Sequence, residues 1–236
     1  MTFEPDLPPA KPPREAIVDA LLELAAERRW EDISISDVAE RAGVSLARFR
    51  DAFPSKGAAL AAFSKRMDSI VLEETDESLI AEPAKERLAD VLMRRLDAMA
   101  PYKAGLRGVV EWARRDPLAA AALNRSVVNS MRFMLEAARI DTEGPVGALK
   151  TQGLALGWAS VLNTWFEDDE PDQGRTLAAL DRMLERGGRL VGYAQDAHQL
   201  TAPFRALAAA VFQARPGFGA RRRESRYETA DETLAD

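Results

Sequence analysis

The sequence predicts an all-α protein in which a three-helix N-terminal domain precedes a larger helical domain, with about nine to ten helices in all. Three observations lead to this fold class. Apolar residues recur at helical spacing from residue 14 onward, and the apolar–polar alternation of a strand is almost absent. Prolines fall at the breaks between the apolar stretches, where they suit loops or first helical turns.

The chain divides into four predicted segments. A disordered N-terminal arm covers residues 1–13, and the three-helix domain covers residues 14–62. The larger helical domain covers residues 63–200, and residues 201–236 form a short amphipathic helix followed by a disordered charged tail. A chain of 236 residues is long enough for one or two domains with a sizeable hydrophobic core.

Residues 34–56 predict two short helices, a tight turn between them and the start of a third helix. Ser34 is placed to cap a helix, and Asp37 three residues later completes the spacing of a capping box. Gly43 suits the left-handed turn that ends this helix, and Ser45 can cap the next one. Two helices joined by a short Gly-containing turn form a helix-turn-helix, whose second helix enters the major groove of DNA.

The other helices are predicted from apolar stripes between the proline breaks. The first stripe precedes the helix-turn-helix, and the rest follow it through most of the chain. The predicted ranges are 14–29, 56–80, 84–99, 102–114, 118–139, 146–166, 175–196 and 203–213.

The distribution of charge favours a local nucleic-acid surface over general nucleic-acid binding. The whole chain has a formal net charge of −6. Residues 41–56, in contrast, contain four basic residues and one acidic residue, a net of +3, and this stretch includes the second helix of the predicted helix-turn-helix. The alternative is a solvated helix face that is merely basic.

Several classes of protein and site are not supported by the sequence. There is no cysteine, no secretory signal and no apolar run long enough to span a membrane, which together predict a cytoplasmic protein. No catalytic, metal or cofactor site is predicted, because no nucleophile, Walker or dinucleotide motif is present and the one histidine, His198, has no partner in a motif. The acidic residues between 167 and 172 lack EF-hand spacing and favour a solvated turn.

The helix-turn-helix residues resemble those of the TetR family of bacterial transcriptional regulators. The match covers roughly the first quarter of the chain. The residues that fall on the family pattern are Ser34, Val38, Ala39, Ala42, Gly43, Val44, Ser45, Phe53, Ser55 and Lys56. The resemblance implies a ligand-responsive, DNA-binding repressor that acts as a homodimer on operator DNA, with no enzymatic activity.

The resemblance also implies which residues contact DNA. Ser45 and Arg48 are expected at bases or nearby phosphates, while Arg50 and two further basic residues anchor the DNA backbone. Ala47, Arg48 and Arg50 depart from the family's usual Gly, Thr and Tyr, and Leu46 stands where base-reading residues are normally polar. The full predicted set is Ser34, Arg41, Ser45, Leu46, Ala47, Arg48, Arg50 and Lys56.

The last two long helices are the predicted dimer interface, because TetR-like proteins pair these helices with the same helices of a second subunit. Each carries an apolar stripe at helical spacing. The alternative for each residue is ordinary core. The predicted interface residues are Leu154, Val161, Leu162, Trp165, Leu177, Leu180 and Leu184.

A ligand pocket is predicted in the larger helical domain, again by the family resemblance. Trp112, Met131, Met134 and Trp158 are its candidate lining, since methionine and tryptophan suit irregular apolar cavities. An apolar small molecule or a lipid is the favoured effector. The alternative for each of these residues is helical core.

A second resemblance involves residues 90–190, which are similar to the lipid-binding accessory protein of ubiquinone biosynthesis. That family shares the TetR fold, so the alternative function is the binding of a lipid or isoprenoid. Its members also have an amphipathic C-terminal helix that touches membranes. Residues 203–213 and Arg221 to Arg223 could do so here, although docking on the protein body or a disordered tail is favoured.

Overall fold

The computed structural model describes residues 11–74 and 81–192 of the chain. Within these ranges every regular element is helical, which confirms the all-α prediction. The predictions for residues 1–10, for residues 75–80, for His198, for the 203–213 helix and for the C-terminal tail lie outside the described residues. None of the described helices is long and apolar enough to cross a membrane.

Eight helices have both ends within the described residues, and a ninth, α9, runs from residue 174 to at least residue 192. Most predicted helix ends agree with the observed ones to within about three residues, because prolines and capping side chains mark them. The exception is α4, which was predicted to reach residue 80 but ends at Glu73, where neither kind of signal is present. The eight helices are α1 (Pro13–Glu27), α2 (Ile35–Arg41), α3 (Leu46–Ala52), α4 (Lys56–Glu73), α5 (Ala84–Met99), α6 (Lys103–Arg115), α7 (Pro117–Ala137) and α8 (Gly144–Phe166).

The three N-terminal helices share a small apolar core. Ile17 and Leu21 of α1 are completely buried, and Val38 of α2 and Phe49 of α3 belong to the same cluster. A short 3₁₀ turn, Trp30–Asp32, connects α1 to α2 and buries the Trp30 ring. α2 and α3 are each only seven residues long, so they depend on this packing and on their caps for stability.

Helix α6 crosses α1 at an unusually short distance. An ideal Cβ on Gly105 would lie 2.9 Å from the carbonyl carbon of Leu22 and closer still to its oxygen. An ideal Cβ on Gly108, three residues later, would come equally close to the carbonyl oxygen of Ala25. Both positions therefore require glycine, since any side chain would separate the two helices.

Aromatic and polar contacts extend the α1–α6 crossing at both ends. At one end the Trp112 ring stacks on Trp30, with centroids 5.0 Å apart. At the other end the Tyr102 hydroxyl donates to the carboxylate of Asp19 at 3.2 Å, and Arg66 of α4 donates to the same oxygen at 2.9 Å. Contacts from both ends of α6 thus join it to α1 and to the 3₁₀ turn that follows α1.

A buried ion pair joins α4, α5 and α7. Arg95 donates to the carboxylate of Asp68, and the Ser130 hydroxyl donates to the same carboxylate oxygen at 2.6 Å. Ser64 accepts a further hydrogen bond from Arg95 at 3.3 Å. Asp68, Arg95 and Ser130 are all buried, so removal of either charge would leave the other unpaired in the core.

Candidate nucleic-acid interface

The start of α2 is held by the capping box that the sequence predicted. The backbone nitrogen of Ser34 donates to the Asp37 carboxylate at 2.7 Å, and the backbone nitrogen of Asp37 donates to the Ser34 hydroxyl at 3.0 Å. The Ser34 backbone and hydroxyl donors keep the pKa of Asp37 below its ordinary value. Ser34 is therefore a structural residue of the motif, and its hydroxyl also donates to Asp37, at 2.8 Å.

The turn between α2 and α3 adopts the left-handed conformation that its glycine permits. Gly43 has a φ of 65°, and its backbone nitrogen donates to the carbonyl of Glu40 at 3.0 Å. Val44 then donates to the carbonyl of Ala39 at 2.9 Å. These two bonds satisfy carbonyl groups at the end of α2, and they set the direction in which α3 leaves the turn.

Helix α3 is fixed to the protein at both of its ends. Ser45 caps the first turn, because its hydroxyl accepts a hydrogen bond from the backbone nitrogen of Arg48 at 3.2 Å. At the other end Arg14 of α1 donates to the carbonyl of Ala52 at 2.6 Å, and its guanidinium lies 4.3 Å from the centre of the Phe53 ring. Sequence reasoning missed Arg14, because no local pattern links residues 38 positions apart.

The outward face of α3 contains four of the predicted DNA-binding residues. Leu46, Ala47, Arg48 and Arg50 are all exposed, whereas Phe49 on the opposite face is buried. Among residues 11–74 and 81–192 neither arginine side chain has a hydrogen-bond or ion-pair partner. Both guanidinium groups are therefore available to an anionic partner.

Arg41, which the sequence predicted to contact the DNA backbone, already has ion-pair partners within the protein. Its guanidinium makes two hydrogen bonds to the carboxylate of Glu27, at 2.8 and 2.9 Å, and lies 3.5 Å from Glu23. The hydrogen bonds to Glu27 raise the pKa of Arg41 further above its ordinary value. In this structure Arg41 ties α2 to α1 and its charge is already balanced.

Lys56 is also engaged inside the protein. Its ammonium donates to the carbonyl of Trp30 at 2.8 Å and to the carbonyl of Ile33, and it lies 4.9 Å from the centre of the Trp30 ring. Burial lowers the pKa of this lysine. Lys56 therefore has a structural role in this structure, because the connection between α1 and α2 uses two of its three donors, and its phosphate contact stays a prediction.

The predicted ligand-binding residues lie in or against the apolar core of the described part of the chain. Met131 and Met134 of α7 and Trp158 of α8 are buried in the main core, while Trp112 makes the stacking contact with Trp30. Two cavities are described elsewhere, of about 270 and about 560 Å³, and none of the four residues lines either one. Three of the four are therefore buried core residues, and the fourth packs against the same core.

Most of the predicted dimer residues are likewise core residues of the single chain. Leu162 is half-buried and Leu177 is exposed, but the others face inward in the single chain. Those on α8 are buried because α8 packs against α6 and α7, and the dimer interface itself stays a prediction. The buried residues are Leu154, Val161, Trp165, Leu180 and Leu184.

Within the described part of the chain, a different face of α8 is left exposed. Leu149 and Leu156 are exposed on it, and the intervening Gly153 and the following Ser160 lie at positions that continue the same stripe. Lys150 is the one charged residue in this 23-residue helix. The sequence signal for this stripe was present, but it could not be told apart from the stripe that forms the core.

The architecture and the capped turn define an all-α protein with an N-terminal helix-turn-helix. Two solved structures are similar to it. The crystal structure of a TetR transcriptional regulator from Nitrosomonas europaea ATCC 19718 is 27% identical in sequence with a TM-score of 0.60, covering 75% of this chain and 99% of that chain. A TetR transcriptional regulator from Rhodococcus sp. RHA1 is 20% identical with a TM-score of 0.53, covering 74% of this chain and 95% of that one.

The chain therefore has the fold of the TetR-family transcriptional regulators, and the resemblance predicted from its helix-turn-helix is confirmed. No protein-family model and no curated protein matches the chain by sequence. The second resemblance, to the lipid-binding accessory protein, stays a prediction.

Proposed function

We propose that this protein is a homodimeric, ligand-responsive transcriptional regulator that binds operator DNA through α3 and has no catalytic role. Residues 14–62 would form the DNA-binding domain, and residues 63–200 would dimerise and sense the ligand. The observation that supports DNA binding most directly is the outward face of α3, where Arg48 and Arg50 have no ionic partner among the described residues.

The proposed contacts divide into two kinds. Arg48, in the first turn of α3, is placed to reach base edges, since the N-terminal residues of a recognition helix contact bases. Arg50, one turn after Leu46, is placed to hold a phosphate, because its planar guanidinium forms charge-assisted bonds to oxyanions. Arg41 and Lys56 hold α2 and its connection to α1 in place through their contacts within the protein, and they are not proposed to contact DNA directly.

The experiment is a titration of the purified protein against DNA fragments that flank its own coding region, across a range of salt concentrations and with random DNA as a control. We expect one fragment to bind at least about a thousandfold more tightly than random DNA. Arg50→Ala should weaken binding to all fragments and reduce the slope of log affinity against log salt by about one unit per protomer.

Arg125→Ala is the matched control for this experiment, because Arg125 is an exposed arginine of α7 without a partner among the described residues. It should leave both the affinity and the salt slope unchanged. Equal, weak and salt-sensitive binding to every fragment would contradict the proposal and would direct attention to the lipid extracted with the protein.

The proposed dimer forms through the uncovered face of α8. Leu156 is 63% exposed in the single chain, and a helix with one charge in 23 residues is expected to be covered on all sides. Leu156→Glu would place a charge in the interface and should shift the protein to monomer in sedimentation equilibrium. Leu118→Glu is the control: Leu118 is 82% exposed on α7, outside the proposed interface. A dimer that survives Leu156→Glu would exclude this face.

The proposed effector is an apolar small molecule bound near Met131, Met134 and Trp158. Because these side chains are closely packed, a ligand must displace them and therefore binds a different conformation of the protein. A ligand that favours that conformation weakens DNA binding in proportion to its differential affinity for the two states. The test is release of the preferred fragment by a panel of apolar compounds; a Trp158→Phe variant with altered release would support the site, and an unaltered one would oppose it.

A further inference from the structure

Leu46 is the one large apolar side chain that α3 turns toward solvent. It is 55% exposed, whereas the other large apolar residue of the helix, Phe49, is 2% exposed and packs in the core. The helix is anchored through Phe49, through the Ser45 cap and through Arg14, so the fold does not use the Leu46 side chain. The Leu46 side chain is therefore available for a contact with another molecule.

The neighbours of Leu46 indicate what that contact is. Leu46 and Arg50 are four residues apart and lie on the same side of α3, with Ala47 beside them at the centre of the outward face. At 100° per residue the Arg50 side chain lies between Leu46 and Ala47, and Arg48 lies on the far side of Ala47; neither guanidinium has a partner among the described residues. A partner that fits must offer an apolar group next to negatively charged groups, and the methyl of Ala47 lets it approach the helix closely.

The major groove of DNA meets this requirement at one base only. Thymine presents a C5-methyl group there, whereas the edges of guanine, cytosine and adenine present hydrogen-bond donors and acceptors. A leucine placed over one of those polar edges would remove water from it without supplying a hydrogen bond, which is unfavourable. Leu46 therefore favours binding to DNA with thymine at this position over DNA with any of the other three bases there.

We propose that Leu46 is a specificity-determining residue that reads the C5-methyl group of a thymine in each half-site of the operator. This inference rests on the proposed function, because it requires α3 to lie in the major groove. It concerns the side chain of Leu46 and needs no contact from the helix terminus itself.

The test replaces each thymine of the preferred DNA fragment in turn by deoxyuridine, which lacks only the methyl group. At one thymine per half-site we expect an affinity loss of about fourfold, which corresponds to one methyl group removed from an apolar contact. Deoxyuridine at thymines outside the bound region, mapped by footprinting, serves as the control and should change nothing.

The variant Leu46→Ala is tested on the same fragments, which completes a double-mutant cycle between the leucine side chain and the thymine methyl group. It should keep its melting temperature, because Leu46 is exposed, and it should bind the thymine and deoxyuridine fragments equally well. A sensitive thymine that stays equally sensitive in Leu46→Ala would assign the methyl contact to another residue and overturn the inference. The inference would also be overturned if no deoxyuridine substitution in the preferred fragment changed its affinity for the protein.

These outcomes differ from a failure of the proposed function. If no fragment is preferred over random DNA, the regulator function itself is contradicted before any thymine is replaced. If a fragment is preferred but its thymine methyl groups are irrelevant, only the role of Leu46 is wrong.

Discussion

Replacement of Gly105 by alanine tests the close crossing of α6 and α1. The new Cβ would meet the backbone of Leu22, lying 2.9 Å from the carbonyl carbon and closer to the oxygen, where real Cβ atoms stay beyond 3.0 Å. Backbone atoms in the middle of α1 cannot rotate away, so the helices must separate by about 1 Å along the crossing. That separation would also loosen the stacked rings of Trp30 and Trp112.

We expect Gly105→Ala to reduce the free energy of unfolding by about 3 kcal/mol, at the upper end of the range for overpacked sites. The loss is a large part of the 5–15 kcal/mol that holds a typical domain together. Urea denaturation followed by circular dichroism measures it, at one fixed protein concentration because a dimer is expected.

Gly57→Ala is the matched control for this measurement. Gly57 lies in the first turn of α4, and an alanine Cβ there would meet only the Ser55 hydroxyl at an ordinary 3.7 Å. Its better helix propensity should leave the protein unchanged or up to about 1 kcal/mol more stable. If Gly105→Ala were as stable as Gly57→Ala, the argument that α1 and α6 are in backbone contact would be refuted.

Three further substitutions, the last of them paired with a control, test other parts of the structure. Trp165→Ala should lower the free energy of unfolding by about 3–5 kcal/mol, because Trp165 is 1% exposed in the single chain; a folded variant that becomes monomeric without losing stability would return this residue to the dimer interface. Gly43→Ala should cost about 1–2 kcal/mol because of its positive φ, and a variant melting at the wild-type temperature would contradict the turn conformation. Asp68→Ala should cost about 3–5 kcal/mol by leaving Arg95 buried and unpaired, whereas Asp90→Ala, which removes a half-exposed pair, should cost under about 1 kcal/mol.

The helix-turn-helix could be predicted from the sequence almost completely. Its caps and turn depend on residues no more than four or five positions apart, such as Ser34 with Asp37 and Gly43 with the end of α2. The exposed arginines of α3 could be predicted for the same reason, since Phe49 identifies the buried side of a short helix.

The roles of Arg41 and Lys56 could not be predicted in this way. Both stand in the basic stretch of the sequence, and each is balanced or satisfied by groups that are distant along the chain. Glu27 neutralises Arg41 from the previous helix, and the carbonyl of Trp30 accepts from Lys56 across 26 positions. A count of charges along the sequence therefore overestimates the positive charge that faces outward.

By itself the sequence determined the fold class, most of the helix ends and the helix-turn-helix, because each of these depends on short-range chemistry. Only the tertiary structure decided which apolar stripe of α8 faces inward. Trp165 and Leu156 both lie on an apolar helix, yet one is buried and the other is 63% exposed. Helical periodicity places residues on faces, but the packing of helices distant in sequence selects the face that becomes core and the face that stays exposed.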